Sequence, residues 1–512
     1  MLRSTFLGYK TATSALTVNQ NMMDIVGQNI SNINTEGYTR QRLDINSVSY
    51  NSSNVKFGTN GVIIGQGVAA SGVSQYRDSF LDLRYRMESA KVGSKDVQLD
   101  ALSDLANVFD EITTDGLDAQ FSDLLEQLHS LTSSPSDPVL EGVVRTSAEL
   151  LTQMFNDYSQ QINTIKNQQQ NYLEDGAVEK VNQLLNNIAD LNKQIKADNV
   201  SGNPALELND ERNMLIDELS TYLDIEVSVE PLDIGGGKSI DELVIKLRDI
   251  EPAVELVNRD NNNKLIVGTG ADSSTVINVL DSTDITSSIK GGQIDGYLNF
   301  LNGSGEFGTT SFNNKGVVYF QNMLDTLANK FATVMNDVNR EPASYNADGS
   351  VATWTDKPLF EPRTGTDITA GNIKISDDWA NETGSYITNT IVNSSGDNTG
   401  ATDNILRMIS KFQSDVDFKT TGGTTLFSGT FQEFLTFTTT RLDLQVADVQ
   451  TSYDTYSETQ YQIEYARSSL SSVDLNEEGV NLLTYSKSYN AAARLMTTLD
   501  EMLDTLINEM AR

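Results

Sequence analysis

Hydrophobic residues recur at spacings of three and four near both ends of the chain. The N-terminal set contains Leu2, Thr5, Tyr9, Ala12, Leu16, Asn19, Met23, Val26 and Ile30. The C-terminal set contains Leu482, Tyr485, Tyr489, Ala492, Met496, Leu499, Leu503, Leu506 and Met510. A stripe with this repeat stays on one face of a helix only when a partner helix covers it. The two patterns therefore predict terminal helices that pair as an antiparallel coiled coil, with the middle of the chain leaving and returning.

The N-terminal helix carries a second stripe beside the first, formed by Ala15, Val18, Met22 and Ile25. One stripe can bury against the C-terminal helix. The other is expected to remain exposed in an isolated molecule, unless the adjoining rod domain covers it. An exposed stripe of this kind indicates contact with further subunits.

The middle of the chain alternates between helical and strand-like patterns. A helical period runs from 79 to 223 and slips in phase near Gly176. Two-residue alternation with Gly- and Asn-rich turns follows in two later regions. We therefore predict a mainly α fold with β insertions, arranged as an elongated multi-domain rod. The predicted domains are a terminal coiled-coil assembly domain (1–60 plus 470–512), an elongated helical rod domain (61–224 plus 291–340 plus 431–469), and β-rich insertion domains at 225–290 and 341–430.

Composition narrows the possible partners. The net charge is −35, from 71 acidic and 36 basic residues. Such a surface repels phosphate backbones and anionic lipids, so we expect neither a nucleic-acid nor a membrane partner. No segment approaches the apolar length that spans a bilayer. The N-terminal region lacks the apolar core of a secretory signal peptide, so we expect any export to use a route without a cleaved signal.

The chemistry of the side chains argues against catalysis. The sequence has no cysteine and a single histidine, His129, which excludes thiolate catalysis, histidine-based triads and a zincin motif. The segment Gly237-Lys238-Ser239 ends like a phosphate-binding loop, but the glycine required earlier is replaced by Leu232. We therefore expect no enzymatic activity, no catalytic residues, no metal site and no cofactor.

A sharp turn is predicted where the N-terminal helix ends. Asn32 and Asn34 can close the helix through side-chain–backbone hydrogen bonds. Gly37 permits the left-handed conformation that redirects the chain. At the other end, Asp474 followed by Glu477 fits the cap of a helix start.

The run from 27 to 42 around this turn resembles the N-terminal signature of flagellar rod, hook and hook-associated proteins. The residues that carry the resemblance, and that it implies serve assembly, are Asn29, Ile30, Asn32, Asn34, Thr35, Gly37 and Tyr38. Glu36 stands where that family usually has proline, which removes one fixed backbone angle from the turn.

Two further segments resemble one branch of this family, the hook-associated proteins of the hook–filament junction. One is the C-terminal helix, whose segment 500–506 reads D-E-M-L-D-T-L; the other is 209–220, with Asn213 in place of the usual aspartate. The motifs lie at both ends and in the family's order.

The resemblance implies a structural subunit of the bacterial flagellum that forms the junction between hook and filament. It implies an extracellular protein, exported unfolded through the flagellar export apparatus and self-associated in a ring. The implied partners are the hook protein, a second hook-associated junction protein and a cytoplasmic export chaperone at the C-terminal region. Two alternatives stay open: another axial protein, such as a hook or distal-rod subunit, or an adhesin that uses the outer β domains.

Overall fold

The computed structural model describes residues 5–48, 67–112, 116–235, 238–271, 273–279, 283–308, 314–345, 351–387, 400–420 and 422–505. The predicted seam residues Leu2, Leu506 and Met510 lie outside these ranges. Residues 79–471 are called the body below, and α1, β1, β2 and α12 are called the terminal arm.

The helices form most of the structure and match an elongated, helix-rich fold with small sheets. They are α1 (Thr5–Ser31), α2 (Ser79–Glu111), α3 (Leu117–Leu131), α4 (Pro138–Asn171), α5 (Glu179–Ser201), α6 (Leu206–Tyr222), α7 (Gly292–Asn302), α8 (Val317–Val338), α9 (Asp377–Asn381), α10 (Asp403–Gln413), α11 (Phe431–Ser471) and α12 (Leu475–Asp504).

The strands are short, and all pair antiparallel. They are β1 (Gln41–Ser47), β2 (Val68–Gln75), β3 (Ile225–Gly235), β4 (Lys238–Leu247), β5 (Glu255–Asn258), β6 (Asn261–Asn262), β7 (Leu265–Thr269), β8 (Thr275–Val279), β9 (Thr283–Asp284), β10 (Arg340–Tyr345), β11 (Val351–Asp356), β12 (Phe360–Pro362), β13 (Ile373–Ile375), β14 (Val416–Lys419) and β15 (Thr425–Gly429). Strands β3–β6 form one sheet, β7–β9 a second, and the other pairs are hairpins.

Polar side chains define where the long helices begin. Asp78 caps α2 and Asp137 caps α4, each accepting a backbone N–H of the first turn. Thr430 and Glu433 form a reciprocal capping box at the start of α11. Asp474 caps α12 as predicted, accepting the backbone N–H groups of Asn476 and Glu477. Helix α12 therefore begins as a separate helix, with three residues between it and the end of α11.

The body has a continuous apolar core in which aromatic rings meet. Phe331 of α8 lies at its centre, with ring-centroid distances of 5.0 Å to Phe360, 5.5 Å to Phe121, 5.7 Å to Phe431 and 5.8 Å to Phe412. These rings come from α3, α8, α10, α11 and β12, so the aromatic cluster joins distant parts of the sequence. Edge-to-face packing of this kind adds to the stabilisation from burial.

A π-helical turn, Tyr172–Val178, joins α4 to α5. The predicted phase slip near Gly176 is confirmed, because a π turn inserts an extra residue into the helical period. Leu173 and Val178 remain buried through the slip. The single helical rod can thus keep apolar residues inward on both sides of the turn.

The two β-rich regions share the core of the helices. Ile225, Leu243, Leu256 and Ile277 are buried in the same apolar cluster as the helical residues. The interval 341–430, predicted as β-rich, also contains α9 and α10. The prediction overlooked α10, whose apolar residues Ile405, Met408, Ile409 and Phe412 are buried at helical spacing within a Thr- and Asn-rich stretch. The predicted domain boundaries stay a prediction.

Asparagines on helices hold strands and extended segments in place by making the two backbone hydrogen bonds that a neighbouring strand would make. In each case the side-chain N–H donates to the backbone carbonyl of a residue, and the side-chain oxygen accepts the N–H of that same residue. Both groups of the backbone are thereby satisfied without a neighbouring strand. The pairs are Asn29 with Gln41 (3.0 and 3.0 Å), Asn182 with Leu265 (2.9 and 2.8 Å), Asn302 with Thr275 (2.7 and 2.8 Å) and Asn336 with Phe360 (2.8 and 2.9 Å).

Candidate functional site: the terminal arm and its attachment

The terminal helices α1 and α12 pack against each other in antiparallel order. The attached end of the pair brings Asn29 of α1 within 3.3 Å of Glu478 of α12. Toward the other end, Gly8 of α1 lies against Leu499 of α12, and a Cβ on Gly8 would come 3.3 Å from the leucine methyls. Close approach at both positions fixes the register of the two helices.

The seam between these helices is only partly buried. Ala12, Val26 and Ala492 are buried, with 0%, 3% and 8% of their surface exposed. The half-buried members are Leu16, Met23, Ile30, Tyr489, Met496, Leu499 and Leu503.

Tyr9 and Leu482 are exposed, at 44% and 39%, so the structure does not place these two predicted residues inside the seam. Glu478, one turn before Leu482 on α12, is only 1% exposed, so the buried residue in the first turns of this helix is a carboxylate.

The second stripe of α1 is covered in part. Val18 is buried at 5% exposure, while Ala15, Met22 and Ile25 are half-buried. The hairpin β1–β2 lies beside α1, and the hydroxyl of Ser14 accepts the backbone N–H of Val68 at 3.4 Å. The expectation of an exposed second stripe is therefore corrected: the hairpin of the arm, formed by the chain that follows α1, covers much of it.

Asn29 is the central residue of the attachment. Its side chain, 1% exposed, pairs with the backbone of Gln41 and donates to Glu478. Its oxygen also accepts the hydroxyl of Tyr38 at 2.9 Å. One buried amide thus joins α1, the following turn and α12.

Arg40 and Glu478 form a largely buried ion pair. The guanidinium Nε of Arg40 lies 2.7 Å from Glu478 Oε1, and their side chains are 12% and 2% exposed. A second nitrogen of Arg40 lies 2.8 Å from Glu477, whose side chain is 58% exposed. Removal from water raises the pKa of Tyr38 beside this pair to about 12, helped by the surrounding carboxylates. The tyrosine therefore remains a neutral hydrogen-bond donor.

Helix α6 receives the turn of the arm. Asp210 accepts the backbone N–H of Thr39 at 3.0 Å and the side-chain amide of Gln75 at 2.8 Å. Gln41 donates to Glu207 at 3.0 Å. Burial raises the pKa of Asp210, and these hydrogen bonds oppose the rise. The segment 209–220, identified from its sequence motif, is therefore the surface on which the arm rests.

A chain of ion pairs continues from α6 to α2 and α11. Asp217 accepts Arg86 at 2.6 Å and Arg467 at 2.5 Å. Asp82 accepts Arg77 at 2.6 Å. Bonds to ionised partners are stronger than neutral ones, and these bonds hold α2, α6 and α11 together directly beneath the turn of the arm.

Both the backbone conformation and the close approach of a neighbouring side chain require glycine at Gly37. Its φ is +75°, and a Cβ there would lie 2.0 Å from Met214 Sδ. Asn32 bonds to the carbonyl of Gln28 at 3.0 Å and accepts the hydroxyl of Thr35 at 3.1 Å. Asn34 is exposed beside them. The turn thus lies directly against α6.

The residues that sequence reasoning missed are the ionic ones. Glu478, Asp210, Asp217, Arg40 and Arg467 come together from positions far apart in the chain. No periodic pattern marks such residues. Three of them lie in motifs recognised from the sequence, Asp210 and Asp217 in 209–220 and Arg40 in 27–42, and these motifs were the available signal.

The outward face of α12 carries apolar residues. Val480, Leu483, Leu495 and Met502 are 62%, 63%, 48% and 63% exposed. The outward face of α1 is polar instead, with Lys10, Thr13, Thr17, Gln20 and Asp24 exposed. The arm is therefore asymmetric, since one helix presents side chains that gain from further burial.

The structure offers no catalytic arrangement around His129, which is exposed on α3. Within the described ranges, no three His, Cys, Asp or Glu side chains are grouped so as to hold a metal ion. The helices of the same ranges include none with the length and apolar character needed to cross a bilayer.

Comparison with family models connects both arm and body to flagellar proteins. The model of the flagellar hook-associated protein FlgK helical domain matches residues 102–352. The model of the flagella basal body rod protein matches 10–39, and that of the flagellar basal body rod FlgEFG protein C-terminal matches 467–509. The last two matches cover most of α1 and α12.

Whole-chain relatives carry one description. The flagellar hook-associated protein 1 of Bacillus subtilis is 29% identical over 99% of this chain and 99% of its own. The protein of the same description from Salmonella typhimurium is 23% identical over 97% and 98%.

A solved structure, the flagellar hook junction protein FlgK from Burkholderia pseudomallei, covers 76% of this chain and 100% of its own with a TM-score of 0.55 and 12% identity. That likeness concerns the fold. The family models and the whole-chain relatives lead to one finding: over nearly its whole length the chain is similar to flagellar hook-associated protein 1.

Proposed function

We propose that this protein is a structural subunit of the bacterial flagellum at the junction between hook and filament. The observation that carries the proposal is the terminal arm: α1 and α12 pair in antiparallel order, yet α12 leaves apolar side chains such as Leu483 and Met502 in solvent. Contact with neighbouring copies would bury them and stabilise the assembled state.

The proposed partners follow from the family and from the arm. Copies of this chain associate in a ring, which meets the hook protein on one side and a second hook-associated junction protein on the other. Before export, a cytoplasmic chaperone binds the C-terminal region, where exposed apolar residues such as Val480 and Leu495 need protection. The chain then leaves through the flagellar export apparatus, unfolded and without a cleaved signal.

The protein acts without catalysis in this proposal. Its buried polar groups join secondary structures to each other. Asn29 and Glu478 have partners within the chain that account for their burial. The role of these groups is to hold the arm in a fixed position for assembly.

A single substitution in the seam tests the proposal. Leu499→Asp places a carboxylate against α1 near Gly8, where the seam has no cation to pair with it. Burying that charge costs several kcal/mol, which should prevent the arm from packing. The body does not depend on this contact, so the purified variant should melt like the wild type. Cells should lose filaments, release unpolymerised filament protein and stop swimming.

The matched control is Leu499→Met, which keeps the apolar contact and should preserve motility. Immunogold labelling of the wild-type protein at the distal end of the hook is expected in the same experiment. Normal swimming by cells that carry Leu499→Asp, or labelling along the whole hook, would contradict the proposal.

A further inference from the structure

A cleft of about 230 Å³ lies where the terminal arm meets the body. Its walls are the turn after α1, the first turns of α2, the middle of α6 and the last turns of α11. Seven ionised side chains line the cleft, which opens to solvent at the attached end of the arm. A segment that binds there would need charges opposite to those of the cleft, and the exposed faces of the arm are candidates.

The floor of the cleft has an excess of negative charge. Five carboxylates line it, against two guanidinium groups, those of Arg77 and Arg467. The carboxylates belong to Asp78, Asp82, Asp210, Asp217 and Glu464. An additional cation at this floor would reduce the excess.

Two carboxylate oxygens at the floor are buried and accept no hydrogen bond from the described residues: Asp82 Oδ1 and Asp210 Oδ1. The residues are 6% and 5% exposed. The nearest guanidinium nitrogens are 3.5 Å away, on Arg467, and 3.8 Å away, on Arg77. Buried carboxylates gain most from a charged donor at hydrogen-bonding distance, so each of these oxygens has unused capacity to accept a hydrogen bond.

The rim of the cleft is apolar. Ile33, Met214 and Leu470 line it and are 37%, 38% and 43% exposed. A side chain that combines an aliphatic stem with a cationic end matches a rim and a floor of this kind. Lysine and arginine are the side chains with that character.

The outward face of α12 offers such side chains. Lys487 and Arg494 are exposed one heptad apart and have no ion pair with an acidic side chain in the part of the chain that the structure describes. They lie on the same face as Val480 and Leu483, whose exposed side chains could be buried against an apolar rim. Lys10 of α1 is also exposed, but its neighbours on that face are polar, so they would bury no apolar surface against the rim.

We propose that the cleft binds the outward face of α12 of a second copy of this chain, with Lys487 or Arg494 entering toward Asp82 and Asp210. The proposal rests on the proposed function, since it requires copies packed side by side. Within one copy, Lys487 and Arg494 are exposed and pair with no carboxylate of the described ranges, so the proposed contact needs a second copy. The contact is therefore between subunits and repeats around a ring.

The absence of cysteine from the sequence makes a direct test possible. A double variant carries Met214→Cys at the rim and either Lys487→Cys or Arg494→Cys on α12. In flagella sheared from motile cells, a short bismaleimide adds one thiolate to each of its ends and so links neighbouring copies. We expect covalent oligomers from at least one of these double variants, and monomers only from the same protein diluted before treatment.

The matched control pairs Met214→Cys with Thr17→Cys on the polar outward face of α1. It should give at least tenfold less linked product, an order-of-magnitude expectation for thiols that are not neighbours. Leu470→Cys replaces Met214→Cys if the latter abolishes motility.

Equal linkage in the control, or none in either double variant despite normal filaments, would overturn the cleft contact and leave the proposed function intact. A wild-type protein missing from the hook's end would instead overturn the proposed function.

Discussion

The body and the terminal arm differ in how completely each buries its apolar side chains. In the body, Phe121, Phe331 and Phe431 are at most 1% exposed and pack on rings from several elements. In the arm, the described apolar residues that reach full burial are small, chiefly Ala12, Val18, Val26 and Ala492. The body is a folded unit in its own right, whereas two helices alone leave half of each surface in water.

The polar contacts differ in the same way. The body attaches its strands with uncharged asparagines such as Asn302 and Asn336, whereas the arm attaches through Asn29 together with ion pairs of Arg40 and Asp210. A neutral amide is less costly to bury than a charge. The charges of Glu478 and Asp210 are largely buried as well, so their partners must stay in place to offset the cost of removing them from water.

The largest effect should come from the aromatic core of the body. Phe331→Ala removes a ring that packs on four others and leaves a cavity among them. Substitutions of this kind cost about 3–5 kcal/mol. The main thermal transition should therefore fall by many degrees. Val26→Ala in the arm is the counterpart, and it should leave that transition within a degree or two, as read by circular dichroism.

A smaller and more local effect is expected from Glu478→Gln. The change removes the largely buried charge that pairs with Arg40, which keeps only the exposed Glu477, so we expect a cost of about 1.5–3 kcal/mol at the site. Amides of α1 and α12 should exchange faster, while the melting of the body is unchanged. Glu477→Gln is the matched control, since Glu477 also bonds Arg40 but its side chain is 58% exposed. A shift in the body's melting with Glu478→Gln would show that arm and body unfold together.

The sequence predicted the helices best where apolar periodicity was long, as in α4, α5 and the terminal pair. It also indicated a phase slip near Gly176, where the π turn lies, and the cap at Asp474. Both can be read from a short stretch of sequence, one as a change of apolar spacing and the other as an aspartate followed three residues later by a glutamate. It missed α10, where short apolar spacing is hidden among polar residues, and the contact of Asp210 with Thr39. The latter joins positions that are distant in the chain, and burial there depends on tertiary packing that no local pattern encodes.

The asparagine pairs of the body should have intermediate effects. Asn302→Ala leaves both backbone groups of Thr275 unpaired inside the body, which costs about 1–3 kcal/mol. Asn314→Ala, at an exposed asparagine on the same side of α7, should be nearly neutral. Urea unfolding measures the difference in the free energy of unfolding. Equal values for the two variants would show that these amides do not hold the strands.

The smallest effect concerns Asp325 on α8, and it depends on pH. Burial raises the pKa of this carboxyl to about 6, and the backbone N–H of Ala370 opposes the rise. Below about pH 4 the carboxyl is protonated in folded and unfolded chains alike. As the pH rises through 4 to 6 the unfolded chain ionises first, so stability falls and then levels off above the folded pKa.

Asp325→Asn keeps an oxygen for Ala370 and removes the ionisation. It should stabilise the body at pH 7.5 and do so much less at pH 4. Urea unfolding at the two pH values measures this. An equal gain at both would assign the effect to packing instead of charge.

Hydrogen exchange in the dilute monomer tests the difference between arm and body most directly. Amides of α1 and α12 should exchange at least about 100-fold faster than those of α8, because local opening is easiest where few apolar contacts are buried. In assembled flagella the same amides should become protected, as neighbouring copies cover the arm. If α1 and α12 were as protected as α8 in the monomer, the arm would be complete by itself and the account would be contradicted.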